Sequence, residues 1–413
     1  MPTITPFAAI RPRPDLAARV ASLPYDVYSR AEAAAAAARD PLSFLHIDRA
    51  DADFPTDVSA YDERVYQRAK ELLEARIADG TFVRDDSPCY YIYELTMGSQ
   101  VNTGIVACSD IADYQQDLIK KHEKTHPEKE TDRIRHMEVT NAHSSPVLLT
   151  YRADETINEI VAAEKKTPAV YDFTSDDGIR HRVFVIDNQE TVGRLQAAFA
   201  AVPASYIADG HHRCSSSVKV GLQRQAKNPR HNGTEEYNRF ISVLFPGDNL
   251  NIMPYYRVVA NLNGLTGEGF IEALKRQGFA VEYVGDKAVT PKQRGIYGMY
   301  MGNGWYRLTA RADMRSDDPV QGLDVEILQE YLLKPVLGIE DPRTDKRIGF
   351  VGGIRGLSEL ERRVATDMAV AFSLYPTSLD EVLRVADAGL LMPPKSTCFE
   401  PKPRSGLFIH EMG

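Results

Sequence analysis

The feature that most restricts the fold of this chain is a set of hairpin signals, paired β-prone runs with glycine between them. Residues 89–97 and 100–107 flank Gly98-Ser99. Residues 169–173 and 181–186 flank Asp176-Asp177-Gly178, and residues 296–301 and 305–310 flank Gly302-Asn303-Gly304. Glycine reaches the backbone angles such turns require, so each pair is expected to fold back as antiparallel strands. Helical periods fall between them without regular alternation, at residues 62–79, 156–164, 191–201, 268–277, 325–333, 357–366 and 378–388. Ser29 is placed to cap a helix over residues 31–38, and residues 43–47 read as a strand. Hairpins interspersed with helices favour an α+β fold with mixed sheets over a doubly wound parallel sheet.

A chain of 413 residues has room for two or three domains. The pattern suggests an N-terminal α+β region over 1–112, a central core over 113–247, and a C-terminal α+β region over 248–413. Lysine and arginine number 49 against 58 acidic residues, a net charge of −9. That balance argues against a nucleic-acid partner, which favours a basic domain. The four cysteines are scattered, with no C-x-x-C pair, so neither a disulfide framework nor a cysteine-rich zinc module is expected. The first residues lack the apolar centre of a signal peptide, and no apolar run approaches the ~20 residues that span a bilayer. These features lead to the expectation of a cytoplasmic protein with no membrane partner.

Chemistry concentrates at Asp209-Gly210-His211-His212-Arg213. A short apolar strand, residues 206–208, ends in an Asp-Gly turn. Small residues follow, and a helix can open near Ser215. Helix starts leave backbone N–H groups unpaired and favour an anion there. Two imidazoles and a guanidinium add side-chain donors at the same place. The local chemistry therefore points to phosphate.

A second polar cluster reads LIKKHEKTHPEKETDRIRH over residues 118–136. A solvated helix face with mixed charges accounts for such a run just as well. The histidine density favours a functional reading. His122-Glu123-Lys124-Thr125-His126 matches H-E-x-x-H, which in zinc proteases sets two ligands one helical turn apart. Pro127 and the surrounding lysines fit that reading poorly and suit phosphate better. Glu123 is the acid/base candidate under either view, since nearby cations keep a carboxylate ionised. Pairing with Lys120 or Lys124 is the simpler account of it.

The termini carry two further motifs. Arg11, Arg13, Tyr25 and Asp26 lie in a proline-rich start, where prolines alone explain a fixed loop shape. Tyr25 and Asp26 are also suited to line a pocket for a substrate amine. At the other end, Lys395, Lys402 and Arg404 sit among prolines in a net-basic strap. It is expected either to close over phosphates or to pack through Met392, Phe399 and Leu407. The glycines of Gly352-Gly353-Ile354-Arg355-Gly356 lack the G-K-[ST] that makes a P-loop.

The Asp209–Arg213 motif resembles the D-G-H-H-R of free serine kinases, whose fold is shared with ParB-type partition proteins and sulfiredoxin. Leu118 to Glu123 resembles the upstream segment that supplies a catalytic glutamate in that family, with Glu123 at the matching position. The likeness covers residues 115–245, and the hairpin near 167–186 would be an insertion. From end to end, the chain also resembles a family catalogued as a domain of unknown function, number 1015. The matching pieces are FAAIRP (7–12), PYDV (24–27), SFLH (43–46), HEKT (122–125) with Asp132-Arg133, ADGHHR (208–213) and MPPKSTCFEPK (392–402).

The resemblance implies a ParB/sulfiredoxin-like core with N- and C-terminal additions. It implies phosphoryl transfer from ADP or ATP, with Mg²⁺, to a small hydroxyl acceptor, free L-serine first. Glu123 would take the hydroxyl proton, alongside Asp209 and His211. Gly210, His212, Arg213 and Ser215 would form the phosphate turn, with His122, Arg133, Lys395 and Lys402 as further contacts. Asp209 would orient an imidazole or help to hold Mg²⁺. Arg133 is a second clamp or a partner of Asp132, and Ser215 donates to phosphate or caps the helix. Tyr25, Asp26 and Arg11 would meet the substrate. The same residues also suit a phosphatase or nuclease, a nucleotide-binding regulator without turnover, or a zinc enzyme.

Overall fold

The hairpins form where glycine punctuates them. In the computed structural model, which describes residues 1–413, strands Tyr90–Met97 and Gln100–Asp110 pair antiparallel across Gly98-Ser99. Tyr171–Thr174 pairs with Arg180–Ile186, and Ile296–Met301 with Gly304–Thr309. The chain divides into two units. The first comprises Met1–Lys121, Thr125–Leu250 and Pro401–Gly413; the second comprises His122–Lys124 and Asn251–Glu400.

A nine-stranded mixed sheet organises the first unit. Its order is Ile119–Lys120, Ser205–Asp209, Val147–Tyr151, Arg239–Pro246, Gln100–Asp110, Tyr90–Met97, Arg180–Ile186 and Tyr171–Thr174, with Ile4–Thr5 beside Gln100–Asp110. Arg239–Pro246 runs parallel to Val147–Tyr151, whereas Ser205–Asp209 runs antiparallel to it. Val147–Tyr151 is buried at every position, as a strand covered on both faces should be. Ile105, Leu149, Ile157, Leu195, Phe199 and Val218 join sheet and helices in one apolar cluster.

The second unit is built on a six-stranded antiparallel sheet in the order Ala280–Gly285, Gly304–Thr309, Ile296–Met301, Val370–Leu374, Tyr255–Val259, Ile348–Gly352. Helix Gly267–Gln277 stops at Gly278, whose φ of 101° only glycine adopts freely. Helix Leu379–Asp387 begins with a Ser378/Glu381 capping box. The fold is α+β.

Three expectations differ from the structure. Residues 43–47 lie in a helical turn, Leu45–Asp48, because Phe44, Leu45 and Ile47 are all buried and an apolar run this short packs equally well either way. The helix after Asp-Gly starts at His211, not Ser215, since Gly210 turns the backbone at once and Cys214 N–H closes the first turn on Gly210 C=O. The segments 1–112 and 113–247 share the first unit's sheet, because strand Gln100–Asp110 finds its partner in Arg239–Pro246. All four cysteines are free and buried. No helix is long and apolar enough to cross a membrane.

Candidate functional site

Strand Ser205–Asp209, paired on both sides, leads into the Asp-Gly turn at its C-terminal end. Gly210 has φ 94°, and helix His211–Lys227 follows with no side-chain cap on its first N–H groups. Arg213, on the first turn, folds back toward the strand that precedes it. Its Nη2 donates to Asp209 Oδ2 at 2.7 Å, and its Nη1 donates to Ser145 Oγ at 3.2 Å and to Pro146 C=O. Arg213 Nε is buried without a hydrogen-bond partner. Burial works against this guanidinium's charge, but Asp209, Asp26, Tyr25 and Asp48 together outweigh it and the pKa lies above the ordinary value. Lys402 Nζ reaches Asp209 Oδ1 at 3.2 Å. Asp209 therefore answers two cations.

His211 is buried and its pKa is pushed down to about 3 by that burial, so the ring is neutral at ordinary pH. His212 Nε2 accepts the backbone N–H of His126 at 3.0 Å, which places its own proton on Nδ1. The two rings stack with centroids 5.7 Å apart and planes within 6°.

Helix Pro127–Thr140 brings a second guanidinium to this unit. Proline at its first position suits a helix start, and the buried side includes Arg133 and His136. Arg133 donates to Asp132 Oδ2 at 2.9 Å and to Asp48 Oδ1 at 3.2 Å, and lies 4.0 Å from the centre of the Tyr25 ring. Burial opposes the charge on Asp132, yet Arg133 and Tyr66 hold its carboxyl below the usual range. A cavity of about 210 Å³ opens here, lined by Tyr25, Asp26, Lys129, Asp132, Arg133 and His136 among others. A narrower pocket of about 20 Å³ shares Tyr25, Asp48, Arg133 and His136 and runs to Ser145 and Arg213. Asp26 lies close enough to Arg213 to stabilise its charge. Two buried guanidiniums beside an uncapped helix start can hold a phosphorylated ligand.

Of the residues picked out by sequence, the first unit gathers Tyr25, Asp26, Arg133, Asp209, Gly210, His211, His212, Arg213 and Lys402. Arg11 lies elsewhere: its guanidinium is held by Asp85 at 2.6 Å and lines neither cavity. Ser215 does not cap the helix; its hydroxyl donates to the Glu130 carboxylate. His122 and Glu123 are described with the second unit, where His122 C=O accepts from Met392 N–H at 2.8 Å. Lys395 is also in that unit, with φ 55° and its ammonium 5.6 Å from the Tyr255 ring centre. Residues 122–126 are not helical, so H-E-x-x-H lacks the turn that would align two zinc ligands. No three His, Cys, Asp or Glu side chains group as a metal site. Sequence reasoning missed Asp48, Ser145 and Ser405, which are joined only in three dimensions.

The buried histidines make the first unit acid-sensitive. His181 and His211 have pKa values pushed down to about 3 and His143 lies well below its ordinary value, each mainly through burial. His136 shifts the same way for the same reason, and His46 shifts up through Asp53. The unfolded chain takes up protons near pH ~6.5 and the folded chain does not, so this stability is present above that pH and is lost as pH falls toward 3. Each lowered histidine adds a slope of up to about 1.4 kcal/mol per pH unit below pH ~6.5, whereas the stability from the raised His46 is fully present below that pH and is lost only above it, so it adds no slope below. The urea midpoint is expected to fall steadily from about pH 7 to about pH 5, before most carboxylates titrate. A flat profile over that range would contradict the burial of neutral imidazoles.

No curated protein matches the chain. Among solved structures, a free serine kinase variant in complex with ADP is similar at 14% identity and a TM-score of 0.37, over 75% of this chain and 93% of that one. SbnI with a C-terminal truncation, from Staphylococcus aureus, is similar at 12% identity and a TM-score of 0.40, over 73% and 85%. A conserved hypothetical protein from Pyrococcus furiosus is similar at 14% identity and a TM-score of 0.32, over 73% and 91%. The sequence profile of one family matches residues 4–326, most of the chain, and includes the turn, both arginines and the Tyr25 cleft. The chain belongs to that family, described as protein of unknown function (DUF1015).

Proposed function

We propose that this protein is a phosphotransferase that moves a phosphoryl group from ADP or ATP to the hydroxyl of a small acceptor, free L-serine being the first candidate. One observation carries the reading. The Gly210 turn sets His211, His212 and Arg213 on the first turn of a long helix with no side-chain cap, beside a cleft that also holds Arg133. In this reading the helix N–H groups and the guanidiniums neutralise phosphate charge, which is the main demand of phosphoryl transfer. His211, neutral and buried, is suited to donate a hydrogen bond rather than to exchange a proton. Both Asp209 oxygens are engaged by Arg213 and Lys402, so Mg²⁺ enters as part of the nucleotide substrate. Tyr25 and Asp26 line the larger cavity and, in this reading, meet the acceptor. Glu123 is proposed as the general base from its place in the sequence, three residues before His126.

Incubating the full chain with L-serine, Mg²⁺ and either ADP or ATP tests the proposal. Phosphoserine should accumulate, and should not with Glu123→Ala. No phosphoserine above that blank would sink serine phosphorylation. Phosphate release without acceptor would turn the reading to hydrolysis. Nucleotide binding by calorimetry without any product would turn it to regulation.

A further inference from the structure

Ser405 is fully buried in the segment Pro401–Gly413, and its side chain joins the two arginines of the cleft. Its hydroxyl donates to Asp48 Oδ2 at 3.1 Å and lies 2.7 Å from Ser145 Oγ. Ser145 Oγ accepts from Arg213 Nη1 at 3.2 Å, and Asp48 Oδ1 accepts from Arg133 Nη1 at 3.2 Å. Only one set of proton positions satisfies this chain. A guanidinium only donates and a carboxylate only accepts, so the Ser145 proton goes to Ser405 and the Ser405 proton goes to Asp48. The result is one directed path from Arg213 through Ser145 and Ser405 to Asp48, which Arg133 enters from the other side. Hydrogen bonds linked this way polarise one another in a water-poor interior.

The backbone of this segment does not depend on that hydroxyl. Ser405 N–H donates to Ser22 C=O at 2.9 Å, Ser22 N–H donates to Ser405 C=O at 3.3 Å, and Lys402 and Arg404 pair with Asp209 and Asp177. The hydroxyl is thus left a separate task. We propose that Ser405 is a positioning residue that fixes the spacing of Arg133 and Arg213, so that both guanidiniums grip one phosphorylated ligand. This rests on the phosphate-binding part of the functional reading and not on the transfer step.

Calorimetry with ADP as the probe, on the full chain, tests it. Ser405→Ala and Ser145→Ala should each weaken ADP binding about tenfold, the scale of a hydrogen bond to a charged group. The double variant should lose no more than either single one, since both cut the same path. A merely structural role would lower the melting temperature of Ser405→Ala and leave the affinity of the folded protein unchanged. Unchanged affinity in both single variants overturns the proposal. If Ser405→Ala does not fold, Ser145→Ala, at a less buried position, decides it alone. A tenfold loss of ADP affinity in a protein that makes no phosphoserine would sink the transfer step and leave Ser405 in its role. Wild-type protein that takes up no ADP would overturn this inference together with the phosphate site.

Discussion

Arg213→Ala is expected to abolish measurable nucleotide binding and to destabilise the first unit by about 3–5 kcal/mol. Two effects add. The guanidinium is buried, and its loss takes from Asp209 its buried charge partner and strips a donor from Ser145 and Pro146. Breaking a buried pair by removing one partner is costly because the other keeps its desolvation penalty. The binding loss comes from the fork itself, which can hold two phosphate oxygens at once. Arg213→Lys separates the effects, since it keeps the charge and loses the fork. It should recover part of the stability and little of the affinity. Urea unfolding and calorimetry with ADP read the two quantities. Wild-type affinity in Arg213→Ala would remove this residue from the site.

Gly210→Ala should disable the same turn without touching a charge. At φ 94° any L-residue is strained, by about 1–2 kcal/mol. The added Cβ would also stand 3.0 Å from Cζ and Nε of Arg213. That guanidinium is held by Asp209 and Ser145 and cannot withdraw without giving up a bond. Gly178→Ala is the matched control, with φ 79° and nothing within 4 Å of the new Cβ. It should carry the backbone cost alone. The expected result is a larger fall in urea midpoint for Gly210→Ala, with weakened ADP binding found only there. Equal falls and unchanged binding would mean that Arg213 adjusts freely.

What was legible in the sequence is what is settled locally. The hairpins, the Ser29/Glu32 and Ser378/Glu381 capping boxes and the stop at Gly278 each depend on a few neighbouring residues. The Asp209–Arg213 turn was readable for the same reason. Residues 43–47 misled because three buried apolar residues, Phe44, Leu45 and Ile47, make too short a run to show a period. The division into units could not be seen, since Gln100–Asp110 and Arg239–Pro246 are neighbours only through the sheet. The site divides in the same way. Tyr25, Arg133 and Arg213 were visible as residue types in suggestive company. Their link was not, because Asp48 and Ser405 are separated by 357 positions and neither forms a motif with the other. The partners of Arg11 and Ser215 were hidden too, because Asp85 and Glu130 reach them from other parts of the chain.

The first unit takes residues from both flanks of the second, with Pro401–Gly413 packed into it. Leu407, Phe408 and Ile409 in that segment are 0% exposed, so the unit's interior is incomplete without them. Translation runs from the N-terminus, so these three residues are among the last parts of that interior to be made. The first unit therefore cannot complete its interior until residues 401–413 have left the ribosome. A chain stalled short of residue 401 carries the Asp209–Arg213 turn but has neither Lys402 beside Asp209 nor Ser405 beside Asp48, and its core is unfinished.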